Sequence, residues 1–102
     1  MSRSIMQDPD SRECYLCALL DQDRSQKDVL QKHHAMHGTA NRKLAEHYGL
    51  HVKLCMQHHT IGQTAVHNNA ALDDLLKKEA QRAFEKRYGH EKWMQTFGKN
   101  YL

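Results

Sequence analysis

Two short-spaced pairs of potential metal ligands constrain this sequence more than any other feature. Cys14 and Cys17 form a C-x-x-C pair, Cys55 and His58 form a C-x-x-H pair, and 37 residues separate Cys17 from Cys55. Two such pairs from distant parts of a chain are typical of a closed tetrahedral zinc site, because a tight turn brings both side chains of a pair onto one ion. Thiolates and imidazoles also favour zinc over magnesium or calcium, which prefer oxygen ligands.

The length and composition of the chain agree with a metal-stabilised domain. With 102 residues, one Trp and two Phe, it holds one domain with a small apolar core, for which a metal or disulfide staple is expected. Three cysteines cannot all pair, and the polar N-terminus has no secretory apolar segment, so we expect an intracellular (cytoplasmic) protein with reduced cysteines. No apolar run is long enough to span a membrane. The competing interpretation is that the cysteines are small buried hydrophobic residues.

The polar segment 1–12, which contains the only proline, is predicted to be a flexible leader to a single domain over 13–102. Hydrophobic periodicity and helix-end signals then predict an α+β fold. The elements are an extended segment or strand over 28–35, a helix from 39 or 41 to 48, a strand over 50–55, a helix over 70–88 and an aromatic tail that folds back onto the core.

Nine histidines are far more than average composition would give, and several are adjacent. His58 belongs to the proposed zinc site, which leaves His59 for another task. If the segments 28–35 and 50–55 pair as antiparallel strands, His59 approaches the pair His33 and His34. Three imidazoles would then converge beside the zinc site, where such a cluster can hold a divalent cation and supply a base near neutral pH.

The combined pattern resembles the HNH-type nucleases of the ββα-metal superfamily, and small phage-borne HNH proteins in particular. Its parts are the C-x-x-C pair, the dyad His33-His34 at the end of the first strand, and the run L-C-x-x-H-H over 54–59 that opens a helix. The similarity covers about 14–69, and the C-terminal run "FGKNYL" over 97–102 also resembles those phage proteins. It implies a small zinc-stapled ββα-metal core with an additional C-terminal helix, and metal-assisted hydrolysis of DNA phosphodiester bonds.

The resemblance also implies roles for individual residues. His34 corresponds to the general base, while His33 and His59 correspond to ligands of a catalytic Mg²⁺ or Mn²⁺. Two interpretations of Asn41 are open, because the usual motif position of the asparagine is occupied here by Leu50. Asn41 either fixes the loop that positions His34 or caps a helix.

Other assignments have alternatives as well. His59 rather than His58 could bind the zinc, although the C-x-x-H spacing favours His58. His67 is either an additional metal ligand or a partner of one, or a residue that caps or hydrogen-bonds near Asn68 and Asn69 at the start of the next helix. The net charge of +3 favours polyanionic partners only mildly. Among the basic residues, Arg42 and Lys43 are the predicted DNA contacts.

A second function competes with the nuclease. The same zinc motif would also fit a zinc-finger-like adaptor that binds DNA or a protein without catalysis. The sequence leaves open whether the chain acts as a homodimer or with a protein partner.

Overall fold

A computed structural model of the protein describes residues 3–60 and 65–102. Over these residues the chain forms a two-stranded sheet, five α-helices and one short 3₁₀ helix. In chain order they are α1 Tyr15–Asp21, β1 Gln31–His34, α2 Thr39–Tyr48, β2 His51–Leu54, α3 Met56–His59, the 3₁₀ helix Val66–Asn68, α4 Ala70–Tyr88 and α5 His90–Phe97. The α+β prediction is therefore confirmed. Within the described ranges, no helix combines the length and the hydropathy needed to cross a bilayer.

The two strands pair antiparallel, as predicted, and the register decides which side chains share a face. His33 lies opposite Val52, and His34 lies opposite His51. Successive side chains of a strand point to opposite faces, so one face carries Gln31, His33, Val52 and Leu54 and the other carries Lys32, His34, His51 and Lys53. The first face is the apolar one, since Val52 and Leu54 are almost completely buried.

The first strand is shorter than the predicted segment 28–35. Its pairing begins only at Gln31, because Gln31 lies opposite Leu54, the last residue of β2. The residues before Gln31 therefore have no partner on β2, and Val29 is 59% exposed. The alternation predicted over 50–55 is confirmed for the apolar face.

The long helix α4 has the predicted limits. The Asn69 side chain caps it by accepting hydrogen bonds from the amides of Ala71 and Leu72, and Gly89 follows its last residue. The aromatic tail folds back as α5. Trp93 is fully buried against Phe84, at 5.4 Å between ring centroids.

The N-terminal segment has neither helix nor strand over 3–12 but packs against the sheet. The Ile5 amide donates to the carbonyl oxygen of Gly49 at 2.9 Å, and the Ser4 hydroxyl donates to that of His51 at 2.6 Å. The Lys53 ammonium donates to the carbonyl oxygens of Pro9 and Ser11. The lack of regular structure agrees with the sequence, the flexibility of the leader stays a prediction, and residues 1 and 2 lie outside the described ranges.

Candidate metal centres

Each predicted zinc-ligand pair lies at the start of a helix. Cys14 is the N-cap of α1, and its sulfur accepts a hydrogen bond from the amide of Cys17 in the first turn. Cys55 is the N-cap of the single-turn helix α3, whose third residue is His58. The tight backbone at both helix starts places the two side chains of each pair on the same side, so four ligand atoms converge between α1 and α3.

The separations between these atoms match a tetrahedral zinc site. Bond lengths of about 2.3 Å to sulfur and 2.0–2.1 Å to nitrogen give about 3.8 Å between two sulfurs and about 3.5 Å between sulfur and nitrogen at tetrahedral angles. The sulfurs of Cys17 and Cys55 are 3.8 Å apart. The Nδ1 atom of His58 lies 3.6, 3.3 and 3.4 Å from the sulfurs of Cys14, Cys17 and Cys55, respectively. The geometry of Cys14, Cys17, Cys55 and His58 is therefore compatible with zinc.

The three thiols of this group need a nearby cation in order to ionise together. Cys14 is completely buried, Cys17 is 8% exposed and His58 is 7% exposed. Burial, followed by the neighbouring thiols of Cys14 and Cys55, raises the pKa of Cys17 to about 12. Because the thiolate is the form that binds metal, three adjacent sulfurs can ionise together only when a positive ion compensates their charge. None of the three cysteines forms a disulfide.

A second group of potential ligands consists of His33, His59 and His67. One ring nitrogen of each lies within 4.8 Å of the others. The ring centroid of His33 is 5.2 Å from that of His59 and 5.3 Å from that of His67. Three imidazoles do converge beside the zinc-ligand group, but the third is His67, whereas the sequence predicted His34.

The hydrogen bonds in this group orient ring nitrogens toward a shared point. His59 donates from Nδ1 to the side-chain oxygen of Gln31 at 2.6 Å, which leaves the lone pair of a neutral ring on Nε2. That Nε2 lies 3.1 Å from Nε2 of His67. Two nitrogens that bind one ion at about 2.1 Å are about 3.0–3.4 Å apart. The Nε2 atom of His33 is buried and has no hydrogen-bond partner among the described residues, so the donor set fits a metal ion.

The environment favours the neutral form, which is the form that binds metal, for two of these imidazoles, those of His33 and His59. Burial, then the neighbouring His59 and His67, lowers the pKa of His33 to about 4. Burial and His67 lower the pKa of His59. The carboxylate of Asp73, which contacts His37 at 3.0 Å, acts in the opposite direction on the pKa of His33.

His34 lies on the opposite face of the sheet from His33, beside α2. Its Nε2 atom is 2.8 Å from a carboxylate oxygen of Glu46. A cleft of about 540 Å³ on this side is lined by His34, Thr39, Arg42, Lys43 and Glu46. The two predicted DNA contacts, Arg42 and Lys43, are thus exposed beside the predicted base.

The sequence left the roles of Asn41 and His67 open, and the structure excludes helix capping by either residue. Asn41 is the third residue of α2, whose N-cap is Gly38, so the interpretation of Asn41 as a helix cap is wrong. The capping interpretation of His67 is wrong as well, because Asn69 caps α4 while His67 contributes to the histidine cluster. The division of the adjacent histidines follows the C-x-x-H spacing: His58 joins the cysteines and His59 does not.

Three residues with contacts in these sites were missed at the sequence level. Gln31 orients His59, Glu46 contacts His34, and Asp73 lies near His33. Only Gln31 carried a signal, because it precedes His33 by two residues in an extended segment and therefore shares its face. Glu46 and Asp73 belong to helices, and nothing in their spacing indicates the strand residues that they approach.

No protein-family model, curated protein or solved structure matches this chain. The geometry of the two ligand groups is therefore the basis for a functional proposal.

Proposed function

We propose that this protein is a metal-dependent endonuclease that hydrolyses DNA phosphodiester bonds on a zinc-stapled ββα-metal core of the HNH type. The observation that carries the proposal is the pair of ligand groups with different character on one short chain. Both groups draw on α3, since His58 faces the three cysteines and the adjacent His59 faces His33 and His67.

The two groups fit different tasks. Four ligands that include three cysteines and are mostly buried leave no position for a substrate, which is typical of structural zinc. Three protein ligands leave coordination positions for water or a phosphate oxygen, which is typical of catalytic sites. His67 is exposed and His59 is half-buried, so substrate can approach the second group from solvent.

A divalent ion held by the three histidines would supply Lewis-acid stabilisation of the developing phosphate charge and of the leaving oxygen. Three imidazoles suit first-row transition ions better than Mg²⁺, which favours Mn²⁺ over Mg²⁺ among the two ions considered above.

The protein side of the chemistry belongs to His34 and the residues around it. His34 is the last residue of β1 and follows His33 directly, so the proposal places the scissile phosphate at the end of this strand, between the two faces on which the side chains lie. His34 takes a proton from the attacking water. Arg42 and Lys43, which line the same cleft, neutralise neighbouring phosphates and position the strand.

Plasmid cleavage tests the proposal. We expect supercoiled DNA to be nicked or linearised in the presence of Mn²⁺, and to different extents with Mg²⁺, Ni²⁺ or added Zn²⁺, but to remain intact with a chelator. His34→Ala should abolish cleavage while zinc content and thermal melting are preserved. His90→Ala is the matched control, because His90 is exposed on α5 and pairs with Glu85.

The opposite results are equally specific. A wild-type protein that holds about one zinc per chain, binds DNA and cuts it with none of these ions would contradict the nuclease and favour the adaptor. Unchanged cleavage by His34→Ala would remove His34 from the mechanism.

A further inference from the structure

A half-buried carboxylate of α2, that of Glu46, lies against the polar face of the sheet and has three basic neighbours. The Oε1 atom of Glu46 accepts hydrogen bonds from the ammonium of Lys32 at 2.6 Å and from Nε2 of His34 at 2.8 Å. Its Oε2 atom is buried, has no hydrogen-bond partner among the described residues, and lies 4.0 Å from Nε2 of His51. The hydrogen bond from Lys32, followed by that from His34, lowers the pKa of Glu46 to about 2. The carboxylate is therefore ionised at neutral pH.

This contact selects one form of His34. A carboxylate acts only as an acceptor, so the nitrogen 2.8 Å from it must carry the proton. A neutral imidazole has one N–H, which leaves the lone pair of His34 on Nδ1. Within the part of the chain that the structure describes, this Nδ1 has no hydrogen-bond partner, and the His34 side chain lines the cleft with Arg42 and Lys43.

We infer that Glu46 is a positioning residue, which holds His34 in the Nε2–H tautomer and leaves Nδ1 as the proton acceptor of the reaction. The inference rests on the proposed nuclease function. Nδ1 takes one proton from water as the water oxygen bonds to phosphorus. The bond from phosphorus to the leaving oxygen breaks, and that oxygen gains a proton from solvent. The imidazolium formed in this step keeps a charge-assisted hydrogen bond to Glu46.

An alternative role for Glu46 is purely structural, as the partner of Lys32. The two roles separate by substitution. Glu46→Ala removes the acceptor from both partners, whereas Lys32→Ala removes the ion pair and leaves the contact between Glu46 and His34. Glu46→Gln keeps an oxygen that can accept from Nε2–H but lacks the charge. Lys32→Ala is therefore the matched control and Glu46→Gln the conservative rescue.

The first measurement is the tautomer of His34 in solution, by long-range ¹H–¹⁵N correlation at a pH where the imidazole is neutral. The resonances of His34 are identified by their loss in His34→Ala. We expect the Nε2–H form in the wild type, in Lys32→Ala and in Glu46→Gln. In Glu46→Ala we expect a mixture of the two tautomers.

The second measurement is steady-state cleavage with Mn²⁺. Glu46→Ala should lower kcat at least about 10-fold, as for other residues that orient a functional imidazole, with KM within about twofold. Lys32→Ala should keep kcat within about threefold, and Glu46→Gln should fall between the two.

The outcomes separate this inference from the proposed function. If the wild type is active but its His34 is in the Nδ1–H form, the positioning role alone is overturned. The same follows if the wild type is active and Glu46→Ala keeps the wild-type Nε2–H form. An equal loss of kcat in Lys32→Ala and Glu46→Ala would also overturn it. Inactive wild-type protein with the Nε2–H form would overturn the nuclease function, and the positioning role with it, but not the pairing of the two side chains.

Discussion

The adjacent histidines of α3 provide the sharpest test of the two metal groups. His58 faces the cysteines through Nδ1, and His59 faces the histidine cluster through Nε2. An asparagine amide substitutes for the position of Nδ1 and a glutamine amide for that of Nε2, and neither binds zinc as imidazole does. His58→Asn and His59→Gln therefore remove one ligand from each group with little change in size.

The expected effect of His58→Asn is large. Structural zinc contributes about 10–16 kcal/mol of apparent binding free energy in small domains, so an equal share for each of four ligands is roughly 2.5–4 kcal/mol. At about 1.4 kcal/mol for each factor of ten, zinc affinity should fall roughly 10²- to 10³-fold. The same energy is a large part of the roughly 5–15 kcal/mol that stabilises a typical domain. It corresponds to a melting temperature lower by about 10–25 °C.

His59→Gln should act on the other group. The zinc content should remain about one ion per chain, and the free energy of unfolding should change by only about 1 kcal/mol, the worth of the lost hydrogen bond to Gln31. The affinity for Mn²⁺ should fall at least roughly 10-fold, since one of three histidine ligands is removed.

The assays measure each group separately. Metal analysis after dialysis and competition with a chromophoric chelator report zinc. Circular-dichroism melting, with and without added zinc, reports stability, and calorimetric titration reports Mn²⁺. Loss of zinc from His59→Gln, or full zinc content and unchanged melting in His58→Asn, would refute the division of the two histidines between separate ions.

Two further predictions concern the surface and the backbone. Arg42→Gln and Lys43→Gln should each lower the salt dependence of DNA binding by about one phosphate contact, a change of about 0.9 in the slope of log K against log salt. Fluorescence anisotropy of a labelled duplex measures it, and an unchanged slope would exclude the residue from the interface. Gly49→Ala should destabilise the protein by about 1–3 kcal/mol in urea unfolding, because Gly49 has φ +74° and a methyl group there would collide with the carbonyl oxygen of Arg3. An unchanged urea midpoint would mean that the N-terminal segment does not pack as described.

Elements with signals in their own sequence were predictable. The helix α4 has a side-chain cap at Asn69 and a glycine stop, and α2 ends at Gly49. The strand β2 shows the alternation that burial of one face requires. In each case the residues that decide the structure lie within the element or directly beside it, so neighbouring sequence was sufficient.

Elements whose limits depend on residues distant in the sequence were not predictable. The helix α3 has only four residues, too few for an apolar period, and lies where Cys55 and His58 meet the ligands of α1. The start of β1 depends on where β2 ends, and residues 28–30 contain no sequence signal for that position. The four candidate zinc ligands were predictable because a two-residue gap is a local geometric requirement. The contact of Glu46 with His34 was not, because it joins a helix and a strand 12 positions apart.

The division of adjacent histidines has a consequence for how the two sites depend on each other. Consecutive residues point apart on any regular backbone, so α3 directs His58 into the buried group and His59 to the half-buried one. A single helical turn has too few internal hydrogen bonds to persist alone, and in the proposed zinc site the bonds of His58 and Cys55 to the ion would fix its position. Under this proposal, loss of zinc is expected to misplace His59 and weaken the second site, whereas loss of an ion from the exposed cluster removes no ligand from the first. The dependence is expected to be strong in one direction at the level of folding, because the buried group takes its ligands from the starts of both α1 and α3.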